Sequence, residues 1–170
     1  MLQESSPGQL LSGDSSQAHT HTRDSLKSLQ GAMMQQVGQQ VELAVTHRFI
    51  DGIYAREIHI PAGTLVAGRI HKREHLSVIS MGVAEVVVDN VLTGDTETVV
   101  YAAPLTFASP AGTKRMVLAI SDVVWTTFHK HEGAPNAEDI EDVFTWLDYE
   151  AFEAETLLSG PGATGIEVQP

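Results

Sequence analysis

The 170 residues contain no cysteine. That excludes disulfide frameworks, thiolate metal sites and cysteine nucleophiles together, and it leaves the redox compartment open. Long apolar runs are missing as well: none approaches the roughly 18 to 20 residues that span a bilayer, so no membrane partner is expected. The opening stretch MLQESSPGQLLSGDSSQ has neither the basic nor the apolar region of a secretory signal, and secretion by a signal peptide is not expected. Basic residues run out early. Beyond Lys130 there is no Lys or Arg but there are ten acids, so about −10 of the formal net charge of −12 lies in that tail. A field of that sign repels phosphate backbones, so no nucleic-acid partner is expected. A solvated acidic helix and a segment that docks on a basic partner both fit the tail. Aromatic residues make up only 6%, while 42% of the chain is hydrophobic and 19% charged, a globular composition with enough chain for one core.

Three zones follow from texture. Residues 1–44 form a polar N-terminal arm with eight glutamines before position 41. Within it Leu26, Leu29, Met33 and Val37 have helical spacing over 26–43, but Gly31 and Gly38 weaken it, and the arm is expected to be mobile in an isolated monomer. Residues 45–131 hold short β-branched runs, with strands expected at 42–48, 54–60, 64–71, 75–81, 84–89, 97–102, 105–109, 115–121 and 123–128. Turn signals such as Asp51-Gly52, Pro61-Ala62-Gly63, Met81-Gly82 and Pro110-Ala111-Gly112 separate them. At such spacing no crossover is long enough for parallel pairing, so the fold class is all-β, an antiparallel sandwich or small β-barrel. Residues 132–170 are expected to be an acidic C-terminal helix and tail, capped near Pro135-Asn136, with Ile140, Val143, Phe144 and Leu147 as an apolar stripe.

The stretch from Gly63 to Gly82, GTLVAGRIHKREHLSVISMG, resembles the first motif of the cupin superfamily: glycine, five residues, His-x-His, a short spacer, Glu, six residues, glycine. Gly63, His71 and Gly82 fall in register, His75 takes the place of the Glu, and Arg69 takes that of the first His. Pro110-Ala111-Gly112 matches the Pro-x-Gly of the second motif, where Pro104, Arg115 and Ala119 replace its glycine, histidine and asparagine. The resemblance covers roughly half the chain and implies a cupin or jelly-roll barrel. The phrases IHKREHLSVIS, SPAGTKRM and VVWTTFH are further similar to small cupin-like proteins of tailed bacteriophages and prophages, a group without an agreed activity. That likeness implies a location in host cytoplasm or virion.

Histidines two apart on a strand share a face and reach one metal inside a barrel. A guanidinium has no lone pair to donate, so Arg69 and Arg115 break the family's four-ligand set. What remains is His71 and His75, joined by His129 from the strand that carries Trp125. Three readings stay open. The three imidazoles hold a divalent transition metal, although no cofactor is certain. Alternatively Arg69 and Arg115, with the histidines, bind a small anionic ligand such as a carboxylate or phosphate. In the third reading the arginines pair with Glu74 or Glu57 and nothing is bound. Glu74 and His131 are expected to leave the barrel, and His19-Thr20-His21 lies in the arm with nothing to fix it. No phosphate loop or G-x-S-x-G elbow is present, and no catalytic residue can be named.

Two functions follow. In the first, the barrel is an oligomerising scaffold of a bacteriophage-type structural or accessory protein, with arm and tail contacting neighbouring subunits and other phage proteins. In the second, the barrel is a metal- or anion-binding module with its ligand inside, open to small-molecule catalysis.

Overall fold

A computed structural model describes residues 21–36, 41–131, 133 and 140–159. Among the described residues the central part of the chain forms the strands β1 (Ala44–Ile50), β2 (Ile53–Ile60), β3 (Leu65–Ala67), β4 (Ile70–His71), β5 (His75–Met81), β6 (Val83–Asn90), β7 (Thr96–Ala102), β8 (Leu105–Ser109), β9 (Thr113–Ala119) and β10 (Val123–Lys130). Before them lies α1 (Arg23–Gln35), and after them α2 (Ile140–Phe144), β11 (Thr145–Trp146) and α3 (Tyr149–Ser159). One sheet runs β1-β2-β10-β5-β8, the second β3-β9-β6-β7, and β4 pairs with β11 alone. Every pairing is antiparallel. The fold is all-β and antiparallel, as the turn spacing implies, and its two sheets fit the jelly-roll barrel that the resemblance implies.

Period-two alternation decides what each sheet turns inward. Across the first sheet, Ile58, Trp125, Ile79 and Leu105 form one inward rung, and Arg56, Thr127, Ser77 and Phe107 form the next. The pairs Tyr54↔His129 and His75↔Ser109 lie one rung further on. The interior therefore grades from apolar to polar along its axis. The apolar end closes with Ile60, Val86, Val117 and Ala119 of the two sheets around Trp125.

The second sheet is covered on both faces, which is why β9 is buried at six of its seven positions and lacks an alternating pattern. Its outer face presents Val87 and Met116 to Leu26 of α1 and Tyr149 of α3. Asp89 is buried there as a satisfied carboxylate. It accepts from Arg23 at 3.0 and 3.3 Å, from Thr96 at 3.1 Å and from the Tyr149 hydroxyl at 3.1 Å. Lys114, 1% exposed, donates to the Gly68 carbonyl at 2.6 Å and lies over the Tyr149 ring.

Three local expectations change. The 64–71 strand divides at Gly68-Arg69, because the Gly68 backbone turns aside to bond Arg115 O and the Lys114 ammonium. Residues 23–35 of the arm are not loose: Thr22 and Ser25 form a capping box, and the helix docks through Leu26 and Arg23. The single acidic helix is replaced by α2, a short strand and α3. Ile140 and Phe144 enter the barrel mouth, Tyr149 goes under the second sheet, and Val143 and Leu147 of the expected stripe stay exposed. The Pro135-Asn136 cap lies outside the described residues.

Leu26 is the one buried side chain of α1. Leu26→Ala is expected to cost about 3 kcal/mol and to free α1 while the barrel stays folded. In hydrogen exchange, α1 amides should lose protection and those of β6 and β9 keep theirs; protection retained in α1 would show that its docking does not depend on Leu26.

Candidate metal centre

His75 opens β5 and His129 stands near the end of β10. The β5–β10 ladder ends at Phe128↔Leu76, so the next residue on each strand sets these two imidazoles side by side on the inner face. His71 enters from β4, which is held in place by its ladder to β11, Thr145↔His71, and by the Gly112 N–H donated to the His71 carbonyl at 2.7 Å. The ring centroids lie 3.9 Å (His71–His75), 4.8 Å (His75–His129) and 5.4 Å (His71–His129) apart. One ring nitrogen from each comes within 4.8 Å of the others. His71 Nδ1, His75 Nε2 and His129 Nδ1 are buried without a hydrogen-bond partner.

The electrostatics keep all three neutral. Burial holds His71 well below its ordinary value, and the neighbouring His75, His129, Arg115 and Arg56 push the same way. Burial lowers His75 to about 4, with Arg115 adding to the fall and the bond to Arg73 O opposing it. Burial, then His75 and Arg56, lower His129 to about 3. Neutral imidazoles carry the lone pairs that a transition metal needs. The His75 tautomer is fixed as well. Its Nδ1 lies 3.3 Å from the Arg73 carbonyl, which can only accept, so Nδ1 holds the proton and Nε2 the free pair. Three imidazoles whose ring nitrogens come within 4.8 Å of one another, each with a buried nitrogen left unpartnered, are available to a metal ion and fit poorly as structural packing, where each would carry an unmet polar group.

The two arginines part company. Arg115 points into the barrel, 8% exposed, donating to Ser109 Oγ at 2.8 Å beside the Phe107 and Trp125 rings. Burial lowers its pKa, and the Tyr101 phenol and Glu97 partly offset this. Arg69 instead meets α2, pairing with Glu141 at 3.5 Å and with Asp142. The partners expected for it, Glu74 and Glu57, are elsewhere: Glu74 is exposed on the turn, and Glu57 pairs with Arg48 and His59. His131 lies beyond β10 against Phe49 and Phe144. His19 lies outside the described residues.

Several residues at the centre carry no sequence signal. Phe144 stacks on His129 at 4.6 Å and on Tyr54 at 5.5 Å, closing the mouth of the barrel. Glu141 bridges Arg56 and Arg69 over it. Under this cover a cavity of about 80 Å³ runs between Tyr54, Arg56, Arg69, His71, Thr127, His129, Glu141, Phe144 and Thr145. Of these, Tyr54, Arg56 and Thr127 lie on the strands expected at 54–60 and 123–128, where alternation places them on the face of His129.

No protein-family model matches the chain, and no curated protein matches it. Solved structures do. An oxalate oxidase in complex with the substrate analogue glycolate aligns at 17% identity and a TM-score of 0.45, over 55% of this chain and 53% of that one. An oxalate decarboxylase aligns at 15% and 0.49, over 61% and 30%. A cupin superfamily protein from Desulfitobacterium hafniense aligns at 11% and 0.44, over 55% and 81%. This chain thus spans about half the length of the oxidase and under a third of that of the decarboxylase. One of these neighbours is described as a member of the cupin superfamily, whose motif spacing the Gly63–Gly82 stretch resembles. At these scores the likeness says nothing about chemistry.

Proposed function

We propose that the protein is a metal-binding barrel that holds one divalent transition metal through His71, His75 and His129. The observation that carries this reading is the triad itself: three neutral imidazoles, His75 and His129 buried and His71 partly so, with ring nitrogens within 4.8 Å of one another and one unpartnered nitrogen each. An all-imidazole set suits zinc, nickel, iron or copper, and three protein ligands leave room for a further one. Such a metal supplies Lewis acidity or, if redox-active, electron transfer. The chain's own residues do the rest. The Arg73 carbonyl orients His75, the β4–β11 ladder positions His71, and Phe144 with Tyr54 keeps bulk water from His129.

The scaffold reading draws its support from the extensions, and two parts of those extensions already have a use within this chain. Residues 23–35 and 149–159 contribute Leu26, Tyr149 and Phe152 to the covering of the chain's own second sheet, which removes those faces from contact with neighbours. No observation links the barrel to a virion, so the metal site is the better-supported function.

Elemental analysis of protein purified without an affinity tag tests it. About one transition metal per chain is expected, lost in His71→Ala with the barrel still folded by circular dichroism. A metal content that His71→Ala leaves unchanged would sink the assignment, and so would failure to take up added zinc, cobalt or copper.

A further inference from the structure

The geometry points to a second component of the same centre: the cavity under α2 is a binding site for a small planar oxyanion, a carboxylate or carbonate, held by Arg69 and Thr127 beside the metal. This rests on the metal reading for its location, but it is carried by different atoms.

Size sets the first limit. A cavity of about 150 Å³ takes benzene; the one here, about 80 Å³, takes a molecule of roughly half that size, three or four heavy atoms. Formate, acetate and bicarbonate fit that limit.

Polarity sets the second. Besides the His71 and His129 nitrogens, two other lining residues have a buried polar atom without a partner, Arg69 Nε and Thr127 Oγ1. Arg69 spends its terminal nitrogens on Glu141 and Asp142, which leaves Nε–H as a fixed donor. The Thr127 hydroxyl is a second donor. Two donors beside metal-binding nitrogens match an acceptor-rich ligand, and an unmet buried donor is costly without one.

Charge sets the third. Arg56, Arg69 and Arg115 bring three guanidiniums to the centre; Arg56 and Arg69 pair with Glu141 and Asp142, while Arg115 feels Glu97 but has no carboxylate within ion-pair distance among the described residues. Imidazole ligands bring no negative charge, so a divalent metal would add two positive charges to the centre. A monoanion at the metal reduces that charge; a neutral ligand of the same size does not. Water alone would fill the volume, and that is the outcome the test must separate from anion binding.

The full chain loaded with Co²⁺ provides a spectroscopic probe. Adding sodium formate is expected to shift the visible cobalt bands saturably, while benzoate, too large for the cavity, leaves them unchanged. Thr127→Val, nearly the same shape, should weaken formate about tenfold or more with cobalt content unaltered. Arg69→Gln should weaken it too, and Thr127→Val remains decisive if loss of the α2 ion pairs unfolds that variant. Bands unmoved by formate, or a formate affinity that Thr127→Val leaves intact, would overturn the oxyanion site while the metal assignment stands. If the chain takes up no cobalt, the metal reading fails by itself. Line broadening of ¹³C-formate by the metal-free protein then decides: broadening lost in Thr127→Val supports the pocket, and no broadening refutes it.

Discussion

His129→Leu is expected to move two measurements in opposite directions. Removing one of three protein ligands should lower the affinity for a divalent transition metal by roughly a hundredfold or more; losing a mere orienting partner already costs about ten- to a hundredfold. The metal-free protein should gain stability at the same time. His129 Nδ1 is buried without a partner between Tyr54 and Phe144, and an unmet buried polar atom costs about 1–3 kcal/mol. Leucine has similar bulk and no polar atom, so the metal-free variant should unfold at higher urea by about 1 kcal/mol. Titration calorimetry with zinc and urea denaturation in chelator measure the two effects. His131→Leu, two residues along and outside the triad, is the control and should leave zinc binding unchanged. A metal-free His129→Leu less stable than the parent would mean that the imidazole is there for packing and not for a ligand.

The second large effect is expected at Gly82, where a methyl group has nowhere to go. Its φ is +91°, and a Cβ built there would lie 2.1 Å from the Asp122 carbonyl oxygen, a backbone atom that cannot turn away. Gly82→Ala must therefore move the β5–β6 connection off the turn before β10, and a loss of about 4 kcal/mol or more is expected. Gly63 offers a matched comparison. Its φ of +77° is similar, yet nothing lies within 4 Å of its Cβ position. Gly63→Ala should cost only the left-handed backbone penalty, about 1–2 kcal/mol. The two glycines that frame the cupin-like stretch thus serve different needs, one conformational and one steric. Equal losses in urea denaturation would show that the close approach to Asp122 relaxes freely.

Legibility in the sequence differs from element to element. Strand existence was legible because β-branched residues alternate with polar ones between turn glycines, and that local signal survives in a barrel whose ladders are antiparallel. The triad was legible too: His71 and His75 follow from motif spacing, and His129 from the parity of the strand that holds Trp125. The roof over the triad was not. Glu141 meets Arg69 across 72 residues and Arg56 across 85, and no local pattern specifies such a pairing. The same distance hid the fate of Arg69, which has the position of a ligand in the motif but turns toward α2. Residues 23–35 misled for a different reason. Polar side chains dominate that stretch, but a single leucine and one arginine aimed at a buried aspartate 66 residues away suffice to dock the helix. The apolar stripe of the acidic segment misled because two elements of different destination happen to share one periodicity.

The ladder between β4 and β11 has a bearing on how the protein is made. His71 leaves the ribosome well before His129, and the strand that pairs with its backbone is Thr145–Trp146, more than seventy residues later. Domains fold as units during synthesis, and here the unit that fixes His71 is complete only once residue 146 has emerged. On the proposed metal reading, an ion offered to the growing chain finds no finished triad until residue 146 has emerged, so selection of the ion falls to the chain after that point.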